Sequence, residues 1–360
     1  MNRNIGVRDI ARLANVSIGT VDRALNGRKE ISEKTRQKVL HIAKKYGYQP
    51  NPSARALAAG GGNIRIGVCV PRELHYFYDQ LREGIASEAQ RLSQLGLELV
   101  YRPVESLADD ESGVIRKLLD DGIRALILTP GDPVGLVPVI DELEKTHNVR
   151  VVCVATDSSA SARSSAVSVE PRLNGRLAGE LMAKFLPAGS RAAIVTGMLQ
   201  TEDHLLKVEG FKESFTAECP GVVVSEVIEG REDEAETFRA CRRLLEGDPN
   251  LAGIYVSTVN CLPVCRALYA TGRAGSVRVI ATDLFAEAAP YVNDRTITAC
   301  IHQRPHMQGQ IALRLIVDHF VTGEPFPPTR YLSPAVVLRS NLRLFREITR
   351  AEKKLGAALF

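Results

Sequence analysis

The stretch from Val7 to Gly27 constrains the fold of this chain more than any other part of its sequence. Apolar residues recur at helical spacing from Ile10 onward, and Asn15 and Val16 then interrupt the pattern. Ser17 stands where a helix N-cap belongs, because its hydroxyl can accept a hydrogen bond from an unpaired N–H of the next turn. The pattern predicts two short helices joined by a tight turn, an arrangement whose second helix enters the major groove of DNA.

The predicted second helix has two chemically different faces. Val21, Ala24 and Leu25 share an apolar face, which suits packing against the first helix. The other face holds Ile18, Gly19, Asp22, Arg23 and Asn26. Arg23 is the best candidate for reading a base, because a guanidinium group pairs bidentately with O6 and N7 of guanine.

Positive charge is concentrated in the same part of the chain. Residues 1–60 contain twelve Lys or Arg and four Asp or Glu, a net charge of +8, whereas the whole chain carries +4. Residues 61–360 therefore carry −4. A basic head on a mildly acidic body is typical of a nucleic-acid binder, since DNA phosphates supply most of the non-specific affinity.

These motifs resemble the DNA-binding headpiece of the lac repressor family (LacI/GalR type). The family signature Val-Ser-x-x-Thr-Val-x-Arg-x-Leu-Asn is present at 16–26. It is followed at the family's spacing by Ile31-Ser-Glu-Lys-Thr-Arg36, Gly47-Tyr-x-Pro-Asn51 and Ala54-Arg-Ala-Leu57. The resemblance implies DNA contacts from Val7, Ser17, Ile18, Gly19, Thr20, Asp22, Arg23, Asn26, Ser32, Thr35, Tyr48, Asn51, Ala54 and Leu57.

The resemblance also suggests roles for several of these positions. Ser17 and Thr20 would contact phosphates or cap the helix. Asp22 departs from the family, where a serine is usual, and three roles stay open for it: orienting Arg23, contacting a base, or neither. A leucine at the position of Leu57 wedges into the minor groove in the family, and ordinary helix packing is the alternative. Such headpieces bind a pseudo-palindromic operator as a homodimer, so double-stranded DNA and a second copy of the chain are expected partners.

Further signals divide the chain into parts. A third helix is predicted from Glu33 to about Lys45, with Ser32 as its cap. The predicted parts are a helix-turn-helix headpiece at 1–50, a hinge helix and linker at 51–63, an effector-binding and dimerisation body at 64–340, and a tail at 341–360. The tail is expected to dock on the body or stay disordered.

The body alternates strand-like and helical stretches. The strand-like runs are Ile64–Val70, Leu97–Arg102, Ala125–Thr129, Arg150–Ala155, Ala192–Thr196, Val222–Ile228, Gly253–Val256, Val277–Ala281 and Thr298–Ile301. This alternation predicts an α/β fold built from βαβ units, with parallel sheets flanked by helices. The number of strands suits two sheets, and a ligand would bind at the carboxyl ends of their strands, in a cleft between two subdomains.

The body resembles a ribose-type periplasmic sugar-binding protein without its export signal. The matching landmarks are Ile66-Gly-Val, Gly210-Phe211, Val279-Ile-Ala-Thr-Asp283 and Ile301-x-Gln303. The resemblance implies three crossings between the subdomains, near 157–172, 283–304 and 328–335. It implies a first subdomain at about 64–160 plus 304–330 and a second at about 161–303 plus 331–340.

Candidate effector-binding residues follow the strands of the body. Aromatic side chains after the first body strand can stack on the apolar face of a sugar ring, with core packing as the alternative. Carboxylates at strand ends can accept hydrogen bonds from adjacent hydroxyls of a sugar or polyol. Together with the resemblance, these arguments select His75, Phe77, Tyr78, Thr129, Asp132, Asp157, Lys207, Ser257, Asn260, Asp283 and Gln303, with His204 as a further candidate.

Several of these positions depart from the family pattern. Ser158 and Lys207 stand where arginines are usual, and Ser257 and Thr258 stand where Asn-Asp is usual. A sugar or polyol is the expected ligand class, and a nucleoside, purine or sugar phosphate is the alternative.

Other features of the sequence argue against several functional classes. The chain has no run of 18 apolar residues and no signal-peptide core, which predicts a cytoplasmic protein that associates with the nucleoid when bound to DNA. The seven cysteines are scattered and are predicted to be buried free thiols, and no metal or cofactor is expected. The glycine-rich and nucleophile motifs of the common α/β enzymes are absent, so catalysis is not expected. The sequence therefore predicts an allosteric regulator, with repression favoured and activation as the alternative.

Overall fold

The computed structural model describes residues 7–25, 31–46, 48, 64–106 and 109–344. The chain divides after Gly61 into a small unit and a large unit. The hinge predicted at 51–63 and the tail beyond residue 344 lie outside the described residues. In the described parts of the chain, no helix is long and apolar enough to cross a membrane.

The small unit confirms the predicted helices and their caps. Its helices are α1 (Val7–Ala14), α2 (Ile18–Leu25) and α3 (Glu33–Lys45). The Oγ of Ser17 accepts a hydrogen bond from the backbone N–H of Thr20 at 3.1 Å. Ser32 caps α3 in the same way and accepts from the N–H of Thr35 at 3.3 Å. Each cap satisfies a backbone donor that has no partner within the helix, so the helix starts are encoded locally.

The core of the small unit differs in part from the sequence pattern. Its buried residues are Ile10, Ala11, Ala14, Val21, Ala24, Val39 and Ala43. Leu13 and Leu40 also belong to the apolar pattern of these helices in the sequence, but they lie outside this core and are 44% and 38% exposed. At about 100° per residue, Leu13 lies roughly 110° from the centre of the stripe formed by Ile10, Ala11 and Ala14. The small Ala11 faces the bundle in its place.

The large unit contains two sheets and the helices that flank them. Its strands are β1 (Ile64–Cys69), β2 (Leu97–Tyr101), β3 (Ala125–Leu128), β4 (Arg150–Val154), β5 (Ser165–Val169), β6 (Arg191–Thr196), β7 (Val223–Glu229), β8 (Leu251–Val256), β9 (Arg278–Thr282), β10 (Ala299–His302), β11 (Arg330–Leu332) and β12 (Ala335–Val337). Its helices are α4 (His75–Arg91), α5 (Glu111–Asp120), α6 (Val137–Lys145), α7 (Pro171–Phe185), α8 (Glu202–Glu218), α9 (Glu234–Gly247), α10 (Leu262–Ala270), α11 (Ala289–Asn293) and α12 (Pro305–Thr322), and a short 3₁₀ turn spans Ser93–Leu95.

Both sheets have six strands and are built mainly from parallel pairs. The first has the order β11-β5-β4-β3-β1-β2, and the second has the order β12-β10-β9-β8-β6-β7. Only the β10–β12 pair among the described strands is antiparallel. The predicted α/β fold is confirmed, and a strand lies at each of the nine predicted runs. The pattern missed β5, β11 and β12, because β5 contains two serines and the other two are three residues long.

The chain crosses between the sheets at residue 170, at 303–304 and at 333–334, inside the three predicted intervals. The observed strand pairing nevertheless assigns two segments to the first subdomain that were predicted to belong to the second. Residues 165–169 and 331–332 belong to the first sheet, because β5 pairs with β4 and β11 pairs with β5. These pairings join residues that are far apart in the chain, so local periodicity could not show them.

Helices α7 and α8 approach each other closely through glycine. A Cβ added at Gly175 would lie 2.0 Å from the carbonyl oxygen of Lys207, and one at Gly210 would lie 2.1 Å from that of Arg172. We expect Gly175→Ala to lower the free energy of unfolding by about 1–3 kcal/mol, because the helices would have to separate. Urea unfolding, monitored by circular dichroism, measures the difference in the free energy of unfolding between the variant and the wild type.

Gly247→Ala is the matched control for Gly175→Ala, because nothing lies within 4 Å of a Cβ added there at the end of α9. It should leave stability unchanged or raise it by up to about 1 kcal/mol. Equal stability of the two variants would contradict the close-packing argument.

Candidate functional site

The exposed face of α2 carries the predicted DNA-reading residues. Ile18 is 51% exposed, and Ser17 and Gly19 are exposed beside it. A Cβ added at Gly19 would lie 3.7 Å from Nη2 of Arg23, so the guanidinium group lies beside Gly19 on this face. Gly19 has no side chain to project from this face, and the guanidinium group of Arg23 lies beside it. This arrangement allows the helix to approach a base edge closely.

Other residues predicted to contact DNA have structural contacts in this unit. The hydroxyls of Ser17 and Thr20 are 2.8 Å apart, and those of Ser32 and Thr35 are also 2.8 Å apart, which agrees with the capping role. Val7 and Tyr48 are partly buried against the three-helix core. Asp22 is partly buried on α2, and the predicted contacts at Asn26, Asn51, Ala54 and Leu57 lie outside the described residues.

A cleft of about 590 Å³, including its opening to solvent, lies between the two sheets of the large unit. Residues that follow the carboxyl ends of strands in both sheets line it, as expected for parallel sheets. Of the predicted effector contacts, those in its lining are Phe77, Tyr78, Lys207, Ser257, Asp283 and Gln303, together with His204. Those outside its lining are His75, Thr129, Asp132, Asp157 and Asn260. The sequence prediction missed, among others, Thr156, Asp203, Glu232 and Thr258.

The first turn of α4 supplies the aromatic part of the lining. Phe77 and Tyr78 are buried and meet edge to face, with ring centroids 5.2 Å apart. His75 is exposed and lies against Tyr76 instead, with centroids 3.8 Å apart. Neighbouring positions on a helix point about 100° apart, so residues 75–78 cannot all face the cleft.

Asp283 is held in place by the residues after β10. It is buried and has φ +64°, a conformation that a residue with a side chain adopts only when its surroundings stabilise it. Its carboxylate accepts hydrogen bonds from the backbone N–H and the side-chain amide of Gln303, both at 2.7 Å. Asn174 donates to Gln303 at 3.1 Å. This network sets the orientation of the amide and the carboxylate at the floor of the cleft.

Helix α8 contributes a buried ion pair and a histidine. Lys207 Nζ lies 2.6 Å from Asp203 Oδ2, and their side chains are 5% and 9% exposed. The Nδ1 of His204 lies 3.0 Å from the backbone N–H of Met198, from which it accepts as a neutral imidazole, and burial lowers the pKa of this histidine. The lysine charge in the cleft is therefore already balanced by a carboxylate of the same helix.

Comparison with known proteins agrees with this architecture. The family model for bacterial regulatory proteins of the lacI family matches residues 7–51, and the model for a periplasmic binding protein domain matches residues 66–325. The chain belongs to the lacI family of bacterial regulatory proteins, and its body is a periplasmic binding protein domain. The resemblance inferred from the sequence motifs is confirmed, and this family points to a regulator rather than an enzyme.

This lacI-family protein is similar to named regulators over most of its length. It is 27% identical to catabolite control protein A of Priestia megaterium over 71% of this chain and 74% of that protein. It is also 27% identical to the ribose operon repressor of Halalkalibacterium halodurans, over 70% of this chain and 71% of that protein. A solute binding protein of an ABC transporter from Burkholderia graminis C4D1M, solved with D-arabinose, superimposes with a TM-score of 0.73 at 22% identity over 78% of this chain and 97% of that chain. This last likeness shows the fold.

Asp157, predicted to contact the effector of this lacI-family protein, has a structural partner instead. Its carboxylate forms an ion pair with Arg163, whose Nη2 lies 2.5 Å from Oδ2. Arg163 also donates to the carbonyl oxygen of Pro328 at 2.6 Å. The pair therefore fastens the segment that leads into β11, and Asp157 lies outside the cleft lining, so its role as a ligand contact stays a prediction.

The other predicted residues outside the lining also have local roles. Asp132 is exposed and accepts from the N–H of Gly135 at 2.9 Å. Thr129 is fully buried, and the Asn260 amide lies 3.5 Å from the hydroxyl of Thr237. All seven cysteines are free and buried, as predicted. Across the described ranges, no cluster of three His, Cys, Asp or Glu could hold a metal ion.

Glu232 lines the cleft, but the sequence pattern gave little indication of this position. It lies in the charged run after β7, which resembles a solvated loop, and it has φ +60°. Burial raises its pKa to about 7, with a further contribution from Glu73, while Lys207 and the Thr258 hydroxyl oppose the shift. Its Oε2 is buried without a hydrogen-bond partner. The one feature of the sequence that could have identified Glu232 as a cleft residue is its position after the end of a predicted strand.

We expect Glu232→Gln to stabilise the protein at high pH. The pKa of Glu232 is raised on folding from 4.5 to about 7, so the folded state holds a proton that the unfolded chain releases between these values. Wild-type stability should therefore fall relative to the variant as the pH rises through this window, by roughly 1–3 kcal/mol after solvent screening. Melting curves at pH 4.5 and pH 8 measure the gap, and the exposed Glu236→Gln should show none.

Proposed function

We propose that this lacI-family protein is a repressor that binds a pseudo-palindromic DNA site as a homodimer and responds to a polyhydroxylated ligand held in the cleft. The observation that carries the proposal is the cleft itself, which places an aromatic pair in one subdomain opposite hydroxyl, amide and carboxylate groups in the other. Aromatic surface suits the apolar face of a sugar ring, and the polar groups suit its hydroxyls. The protein would act in the cytoplasm, on the nucleoid.

The names of similar proteins support this ligand class. One relative is a ribose operon repressor, and the solute binding protein from Burkholderia graminis was solved with D-arabinose. A sugar phosphate is disfavoured, because no arginine is among the described residues that line the cleft and Lys207 is paired with Asp203.

The geometry supports an allosteric mechanism. The lining comes from both subdomains, and three chain crossings join them, so a ligand that contacts both sides favours a particular closure of the cleft. A ligand shifts DNA affinity only by its differential affinity for the two closure states, typically about 1–3 kcal/mol. The DNA would respond through the segment that links the units.

The full-length protein can be tested in two steps. Selection from a random DNA pool should yield a palindromic consensus, and sedimentation should show two copies per site. Thermal unfolding against sugars, polyols, nucleosides and sugar phosphates should then identify a stabilising sugar or polyol that changes affinity for the selected DNA. Asp283→Asn should reduce that ligand's affinity at least tenfold and leave DNA binding unchanged without ligand. A response confined to nucleosides or phosphates would overturn the proposed ligand class.

A further inference from the structure

The ionisable groups of the cleft have more negative than positive charge. The lining contains the carboxylates of Asp203, Glu232 and Asp283 and the single ammonium group of Lys207. Lys207 lies 2.6 Å from Asp203, so these two charges balance each other. Gln303 donates twice to Asp283 without adding charge, and Nδ1 of His302 lies 3.3 Å from Oδ1 of Asp283, where only a protonated imidazole would add positive charge.

Among the described carboxylates that line the cleft, Glu232 is the one with a buried oxygen that has no hydrogen-bond donor. Its Oε2 is buried and accepts no hydrogen bond, and Thr258 is the hydroxyl that bonds the carboxyl group. Lys207 is the cation that acts on it, and Glu73 approaches from the first subdomain as a second carboxylate. A buried acceptor without a partner is unfavourable, and more so when it is charged, so a ligand donor at this point is strongly favoured.

The aromatic side of the cleft experiences the same negative field. Burial raises the pKa of Tyr78 well above its ordinary value, and surrounding carboxylates raise it further. These carboxylates are Glu232, Asp203, Glu73 and Glu111. Aromatic rings such as Phe77 and Tyr78 also attract cations through their π faces, so both walls of the cleft favour a positive ligand.

We propose that the cleft takes a polyhydroxylated ligand that carries a basic amino group, an amino sugar or amino polyol, and that Glu232 pairs with its ammonium group. The inference rests on the proposed function of the cleft and narrows its ligand class. A neutral sugar could donate a hydroxyl to Glu232, but it would leave the buried carboxyl group without a cation and so favour its protonated form. An ammonium group supplies both the donor and the charge.

Matched ligand pairs test this directly on the full-length protein. D-glucosamine and D-glucose, D-galactosamine and D-galactose, and D-glucamine and D-sorbitol differ only in the amino group, and D-gluconate and glucose 6-phosphate add negative charge. At least one amine should bind tenfold or more tightly than its neutral counterpart in calorimetry, and neither anion should bind. Glu232→Gln should reduce the affinity for that amine at least tenfold and leave the affinity for the neutral counterpart nearly unchanged. Glu236→Gln, an exposed glutamate four residues away, should change neither.

A proton readout separates ion pairing from a merely structural role of Glu232. Glu73, Asp203, Lys207 and His204 are the other charged or titratable groups near it. Binding of D-glucamine, which stays protonated at pH 7, should ionise Glu232 and release protons, measured as a difference in calorimetric heat between phosphate and Tris buffers. The Glu232→Gln variant should release none. This inference would be overturned if a neutral sugar or an anion bound more tightly than every amine. If that ligand were a neutral sugar, the proposed function would still stand. Failure of every compound to shift the melting temperature would overturn both.

Discussion

Replacement of Arg23 by alanine is expected to remove sequence-specific DNA binding and to leave most non-specific binding in place. Arg23 lies on the exposed face of α2 beside Gly19, where its guanidinium group can reach a base edge. A bidentate contact to guanine is worth about 1–3 kcal/mol, so the loss from two headpieces should be roughly 2–6 kcal/mol. Fluorescence anisotropy with the selected DNA and with a scrambled duplex of the same length measures the two affinities.

Arg23→Lys is the matched control variant, because it keeps the positive charge but loses the planar guanidinium group that can form two parallel hydrogen bonds. It should lose specificity almost as fully as Arg23→Ala while it keeps the wild-type dependence on salt. If Arg23→Ala weakened binding to both duplexes equally and reduced the salt slope, Arg23 would be a phosphate contact and the base-reading role would be wrong.

Replacement of Lys207 by methionine should be the most destabilising single change in the cleft. The substitution preserves much of the side-chain volume but leaves the carboxylate of Asp203 buried without its cation. Loss of one partner of a buried ion pair typically lowers the free energy of unfolding by about 3–5 kcal/mol. Urea unfolding at pH 7, followed by circular dichroism, provides the value.

The chain offers a matched control for this ion pair. Lys184 and Glu180 have the same i,i+4 spacing on α7, 3.2 Å apart, but their side chains are 58% and 48% exposed. Lys184→Met should change stability by no more than about 1 kcal/mol. Asp203→Asn combined with Lys207→Met should recover part of the loss, because no unpaired charge remains. If the double variant were no more stable than Lys207→Met, the burial of an unpaired carboxylate would not be the cause.

The features predicted correctly from the sequence are those encoded by neighbouring residues. The helix starts depend on Ser17 and Ser32, whose hydroxyls bond the N–H three residues ahead, so a few residues suffice to define them. Seven of the nine runs are largely buried strands, because a parallel sheet covered on both faces requires continuous apolar segments, whereas the edge strands β2 and β7 are only partly buried. Asp283 was predicted from its place after a strand and Gln303 from the family resemblance, and both side chains line the cleft.

Only the tertiary structure decided which polar side chains share the cleft and with what charge. Asp157 and Glu232 both follow strands, yet Arg163 neutralises the first, while the second lies near Glu73 from the other subdomain. The pairing of β5 with β4 and β11 likewise moved residues 165–169 into the first sheet. Capping and hydrophobic periodicity act over a few residues, whereas the Coulomb interaction of Glu232 with Glu73 depends on loops that meet across more than a hundred residues of chain.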